Sequence, residues 1–272
     1  MLERSFLTRL RHLAKKIPGI GKIYFNSRLA LVPTYREDGL CTVHSADFLG
    51  DSEFRDAYNA GLTMQPGTEM RWRSHVAIWA AHQASLLDGD FGECGVNRAF
   101  LSTAIMHALD FKNRIDKQFY LFDTFCGLVP EQVTEEDTAA RWNEYPDVYE
   151  YVRTAFADYQ NVHVIKGVVP KVLEQHQIDA VAYLSVDMNC AAPEVAAMEH
   201  FWPRMVPGGM ILIDDYGWSG HEAQKRGADA FASSVGARIL SLPTGQGLLI
   251  KHEQRSTKSS AEVVSNRKAS AG

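Results

Sequence analysis

Three aspartates stand where two apolar runs end. VAYLSV, residues 181–186, runs into Asp187, and MILI, residues 210–213, runs into Asp214 and Asp215. Between them lies a segment with helical spacing, closed by Pro207, Gly208 and Gly209. If both runs are parallel strands of one sheet, their C-terminal ends lie side by side and the carboxylates converge where open α/β sheets bind ligands. Converging carboxylates are hard oxygen donors and proton acceptors. A plainer role competes at each position. An Asp between a strand and a helix is often an N-cap, although two adjacent acids after a buried strand repel each other unless something compensates.

A second group lies upstream. The turn Glu93–Cys94–Gly95–Val96–Asn97 follows the apolar stretch at 91 and enters a helical pattern. It has one central glycine where a dinucleotide fingerprint has three, so a pyrophosphate cannot approach as it does in NAD or FAD sites. A ligand carrying adenosine without a diphosphate fits better. Gly95 allows close backbone approach, Glu93 can accept from a ligand amine, and the helix start suits a carboxylate. Asp123 closes the next apolar run, FYLF, where an acid can pair with ribose hydroxyls. Glu93 as a local cap is the competing reading.

The elements that must carry these residues alternate. Residues 70–87 place Trp72, Val76, Trp79, Ala80 and Leu86 or Leu87 at helical intervals. GDFGECGV then reads as strand and turn, RAFLSTAIMHALDF as helix and FYLFD as strand, the size of a βαβ unit. NVHVIKG is a third strand, VVPKVLEQHQ a helix, AVAYLSVD a fourth strand, APEVAAMEHFWPRMV a helix and GGMILIDDYG a fifth strand. HEAQKRGADAFASSVG is a further helix, and ARILSLPTGQGLLIKH reads as two strands about a TGQG turn. Five βα units closed by an antiparallel hairpin predict a seven-stranded, mostly parallel α/β sheet. The expected domain spans 61–252, with an acidic lid near 127–158 that holds seven acids between Glu131 and Glu150 against Arg141 alone. Residues 1–60 form a basic extension, helical at first and irregular through VPTYREDGLCTVHSADFLGDSEF, and 253–272 a disordered tail.

Composition excludes several classes. At 272 residues and 46% hydrophobic the chain can bury a full core. A net charge of −5 argues against nucleic acid as the partner. Its positive charge is concentrated at the start, where Arg4, Arg9, Arg11, Lys15, Lys16, Lys22 and Arg28 face the single acid Glu3. That segment suits packing on its own domain or a second subunit better than a membrane surface, because its apolar face of Leu2, Phe6, Leu10 and Leu13 is narrow. Cys41, Cys94, Cys126 and Cys190 form no CxxC pair and no zinc spacing, and Cys94, Cys126 and Cys190 read as small buried hydrophobes. His75, His82 and His107 fall within helical runs and read as structural. With no apolar run near the ~20 residues of a membrane span and no signal peptide, a cytoplasmic protein is expected.

GDFGECGV, FYLFDTFCGL, LSVDMNCAAPE, PGGMILIDDYGW, GHEAQK and LPTGQGLLIK, in this order, resemble the macrocin O-methyltransferase family over residues 60–252. The resemblance implies a Rossmann-like class I fold, S-adenosyl-L-methionine as methyl donor, a divalent cation such as Mg2+, and a saccharide or other small-molecule acceptor. A homo-oligomer is the expected assembly. By position, Glu93, Gly95 and Asp123 match the cofactor motifs, and Asp187, Asp214 and Asp215 the metal ligands. Some relatives have a second acid two residues after the first metal Asp, where this chain has Asn189. On this reading Asp187 is ligand and general base together, with His221, at the start of its helix, as the other proton acceptor.

Three other functions compete with a sugar O-methyltransferase. One methylates catechol-like phenols with similar acid and metal chemistry. A second is a non-catalytic cofactor-binding assembly protein. The third, hydrolysis of a phosphate ester by the same acids, leaves the adenosine-site features without a role.

Overall fold

A computed structural model describes residues 20–114, 116–137 and 145–253. The basic start before residue 20, the lid segment 138–144 and the tail from residue 254 lie outside the described residues. In chain order the elements are α1 (Ile20–Leu31), β1 (Tyr35–Glu37), β2 (Leu40–Thr42), α2 (Ser52–Met64), α3 (Arg71–Ala84), β3 (Asp90–Cys94), α4 (Phe100–Ala108) and β4 (Phe119–Asp123). They continue with α5 (Tyr149–Ala155), β5 (Val162–Lys166), β6 (Val181–Val186), α6 (Ala191–Phe201), β7 (Met205–Ile213), α7 (Glu222–Ser234), β8 (Leu240–Ser241) and β9 (Gly247–Ile250). No helix among the described residues is long and apolar enough to cross a membrane.

Seven strands form one sheet in the order β5-β4-β3-β6-β7-β9-β8. The first five are parallel to their neighbours, and β9 runs antiparallel to both β7 and β8. The chain winds outward from β3 in one direction and then, from β6, in the other, so β3 and β6 flank the topological switch point. Alternate side chains divide between two cores: Phe91, Leu121, Tyr183 and Leu212 pack under α3 and α4, while Cys94, Phe122, Leu184 and Ile213 pack under α6 and α7. Burial on both faces is why β6 reads as an unbroken apolar run.

Several expectations are corrected. VVPKVLEQHQ is not an α-helix but turns with one 3-10 stretch, Leu173–Gln175. Pro170 interrupts its start, and too few residues remain before His176 to repay helix nucleation. In α3 the buried face is Ser74, Ala77, Ala80, Ala81 and Ala84, whereas Trp79 is 47% exposed and Leu86, in the turn after the helix, 72%. Small residues let this helix lie close to the sheet, so the bulky positions do not mark its inner face. Cys126 is exposed rather than buried. Pro207, Gly208 and Gly209 belong to β7, in an irregular stretch where the four residues between Met205 and Met210 lie opposite the single residue of β6 between Val181 and Tyr183. Segment 33–43, read as irregular, holds the β1–β2 hairpin, and α2 runs through residue 60.

Candidate active site

The sheet ladder continues past the strand ends and draws the turns together. Gly95 N donates to Phe122 O at 2.9 Å, Asp187 N to Cys94 O at 2.9 Å and Asp214 N to Val186 O at 3.0 Å. Gly95 sits at φ +92°, and a Cβ there would stand 1.7 Å from the Asp187 carbonyl oxygen. Its lack of a side chain therefore serves the protein's own backbone crossing first. One cavity at this edge is lined by Glu93, Gly95, Asp123, Asp187 and Asp214, among others. Five of the expected residues thus lie on two sides of one space, while Asp215 and His221 are not among its lining and join the corner through their contacts with the other acids.

On the β3–β4 side the polar groups are held by backbone. Asp123 Oδ2 accepts from Val96 N at 2.6 Å and Asn97 N at 2.7 Å, and Oδ1 accepts from Phe125 N at 2.7 Å. Asp123 thus shapes the turn, and the Thr124 hydroxyl also lies 3.3 Å from its Oδ1. Glu93 is buried and accepts from the Ser102 hydroxyl on α4. Burial pushes its carboxyl up to about 8.

On the β6–β7 side charge dominates. Asp187, Asp214 and Asp215 each present an oxygen within 4.8 Å of the others. Burial, then the charges of Asp215 and Asp214, hold Asp187 well above the usual carboxylate range. Burial and the neighbouring Asp214 push Asp215 up to about 7. Glu194, on the first turns of α6, is raised too, chiefly by burial and then by Asp215. Its Oε1 accepts from Met188 N at 3.1 Å, while Oε2 is buried without a partner. Asn189 does not supply a further acid; its amide donates to Asp187 Oδ1 at 3.2 Å.

Asp214 is the most tightly held of the three. Arg73 Nη1 donates to its Oδ2 at 2.5 Å, and Gln246 Nε2 to its Oδ1 at 2.9 Å. Burial alone would lower the Arg73 pKa, but Asp214 and Asp38 outweigh it and keep the guanidinium charged. His221 Nδ1 lies 3.3 Å from Asp215 Oδ2 and 2.8 Å from the Gln224 side-chain amide. The Gln224 oxygen as placed is buried without a partner. Asp215 Oδ2 beside Nδ1 favours the tautomer protonated there, which leaves Nε2 as the basic nitrogen. Burial lowers the His221 pKa, which favours the neutral ring.

The lid stem is docked on the same edge. Asp137 accepts from Ala191 N at 2.9 Å, so a lid residue caps α6 in the place proposed for Asp187. Tyr145 and Pro146 line the cavity, and burial raises the Tyr145 phenol before Asp187 and Asp215 add to it.

Arg73, Gln246, Glu194 and Tyr145 were not legible as site residues. Arg73 and Asp214 are 141 positions apart, and no local pattern links them. Gln246 lies in the TGQG turn, which was read for its geometry and as part of the family resemblance, with no role given to this residue.

Solved structures share this architecture. The O-methyltransferase NovP superposes with a TM-score of 0.57 at 21% identity, covering 66% of this chain and 80% of its own. CalS11, a calicheamicin methyltransferase, gives a TM-score of 0.57 at 15% identity over 88% of this chain and 95% of its own. At such identities the likeness is one of fold. No curated protein sequence matches the chain. The profile of the family described as Macrocin-O-methyltransferase (TylF) matches residues 44–233. That stretch is more than half of the chain and carries both sides of the cavity, and with it the chain belongs to the macrocin O-methyltransferase family, whose members are S-adenosylmethionine-dependent O-methyltransferases.

Proposed function

We propose that the protein transfers the methyl group of S-adenosylmethionine to a hydroxyl of a sugar, glycan or glycosylated metabolite, with a divalent cation held by Asp187, Asp214 and Asp215. The observation that carries this is the convergence of three carboxylates, two of them buried, within 4.8 Å of one another at the edge of the cavity that the Glu93–Gly95 turn also lines. The donor set is all oxygen and its charge exceeds what Arg73 offsets, which fits a hard cation. A cation bound there would make a coordinated hydroxyl more acidic, and S-adenosylmethionine would supply the electrophilic methyl group.

The chain's own residues supply position and proton transfer. Glu93 and Asp123 are placed to receive the amine and a ribose hydroxyl of the donor, with Phe125 and Val96 among the apolar walls. Alignment of donor and acceptor is itself a large part of catalysis. Asp187, once spent on the cation, is a weak base, so His221 Nε2 is the better proton acceptor. The sugar acceptor is supported by the family and by CalS11, which is described as a TDP-rhamnose 3'-O-methyltransferase.

The test is turnover across sugar, glycoside and catechol acceptors, with chelator and with added magnesium. Methylation of sugar hydroxyls, abolished by chelator and restored by magnesium, is expected. Turnover confined to vicinal phenols would sink the sugar assignment, and chelator-resistant turnover would sink the cation. Asp187→Asn should lower turnover by roughly 10²–10⁴-fold while adenosylhomocysteine still binds.

A further inference from the structure

Asp214 is held from two directions, by a residue within the family-matched segment 44–233 and by one beyond its end. Gln246 holds one oxygen from the β8–β9 turn, and Arg73 holds the other. Arg73 is in turn held by the tip of the N-terminal hairpin: its Nε donates to Asp38 Oδ2 at 2.6 Å and its Nη2 to Asp38 Oδ1 at 3.0 Å. The guanidinium lies over the Trp218 ring, 5.2 Å from its centroid. Asp38 and Gly39 have φ of +53° and +71°, the conformation of a tight hairpin turn. A Cβ on Gly39 would stand 3.0 Å from the Trp218 ring, so the tip is seated against the same indole. One guanidinium thus bridges a hairpin carboxylate and a carboxylate of the acid corner, with its planar fork used on both.

We propose that Asp38 and Arg73 are positioning residues of the cation site, so that the N-terminal hairpin sets how tightly the acid corner binds a divalent cation. The inference rests on the cation reading given above. Two effects act in the same direction. Asp38 offsets the Arg73 charge, which otherwise opposes a cation a few ångströms away. Asp38 also fixes the guanidinium, and through it the orientation of Asp214, as outer partners of metal ligands do. Losing the Asp38 charge therefore weakens cation binding on both counts.

Mn2+ binding to the full chain, read by the loss of free-ion electron paramagnetic resonance signal, tests this. Asp38→Asn keeps a residue that tolerates the left-handed turn and removes only the charge. It should weaken Mn2+ binding by about tenfold, with adenosylhomocysteine affinity and melting temperature close to wild type. Arg73→Lys keeps the charge but cannot bridge two carboxylates, and should weaken it as well. Glu53→Gln, the same charge change on α2, should leave it unaltered. Saturable Mn2+ binding by wild type with Asp38→Asn within twofold of it would overturn the inference and leave the cation reading standing. No saturable binding by wild type would remove both.

Discussion

The two sides of the cavity are built on opposite principles. Around β3 and β4, Asp123 accepts three backbone N–H groups and Glu93 a hydroxyl, so the polar atoms are tied to the fold that presents them. Around β6 and β7, three carboxylates crowd together against one guanidinium, and a fourth buried carboxyl, Glu194, keeps an oxygen without a partner. The first side is stabilised by its hydrogen bonds. The second holds charge that burial opposes, which raises Asp187 and Asp215. A site for an organic ligand can be preformed at little cost, whereas a site for a cation concentrates like charge before the cation arrives.

Gly95 joins the two sides, and its substitution breaks the comparison most completely. Gly95→Ala places a methyl group inside the Asp187 carbonyl and adds a side chain at φ +92°. A loss of more than about 4 kcal/mol is expected, read by urea unfolding, with both ligands lost together. Retention of either site with normal stability would show that the turns are not locked to each other.

Asp123→Ala tests the β3–β4 side alone. Val96, Asn97 and Phe125 N–H groups lose their acceptor. Stability should fall by about 1–3 kcal/mol, and adenosylhomocysteine affinity should fall while Mn2+ affinity holds. Equal losses of both would deny that the sides are separable.

The smallest effect is a pH dependence that becomes shallower with the cation. Glu93 and Asp215 have folded-state pKa values raised to about 8 and about 7 from ordinary values of 4.5 and 3.8. Between those limits the folded state binds more protons than the unfolded state, so stability is greatest below about pH 4 for these groups and declines through pH 7–8. Melting temperature of the cation-free protein should therefore fall across this window from their contribution. Saturating magnesium binds the ionised carboxylates and should cancel the Asp215 part of the decline. An unchanged slope with magnesium would separate the cation from this corner.

Much of this arrangement was legible from local sequence. Apolar runs closed by acids marked β4, β6 and β7, because a strand buried on both faces needs an unbroken apolar stretch and its exit to the cavity does not. Recognised motifs around Asp187 and Asp214 were enough for the family. Of the positions spaced helically along α3, Ala80 is buried and Val76 packs against the core, but Trp79 is exposed, because the close approach of Ala77, Ala80 and Ala81 to the sheet is decided by neighbours rather than by side-chain size. The Asp38–Gly39 dipeptide was a readable hairpin signal within a segment read as irregular.

The sequence by itself determined the alternation of elements, the three aspartates at strand ends and the glycine turn beside them, since these follow from periodicity and residue chemistry within short windows. The tertiary structure alone decided which charges meet. Arg73 reaches Asp214 across 141 positions and Asp38 across 35, and Gln246 reaches Asp214 across 32. Such pairings depend on how the hairpin, α3 and the last turn pack around the sheet edge, and hydrogen bonds between distant side chains leave no periodic trace in the chain.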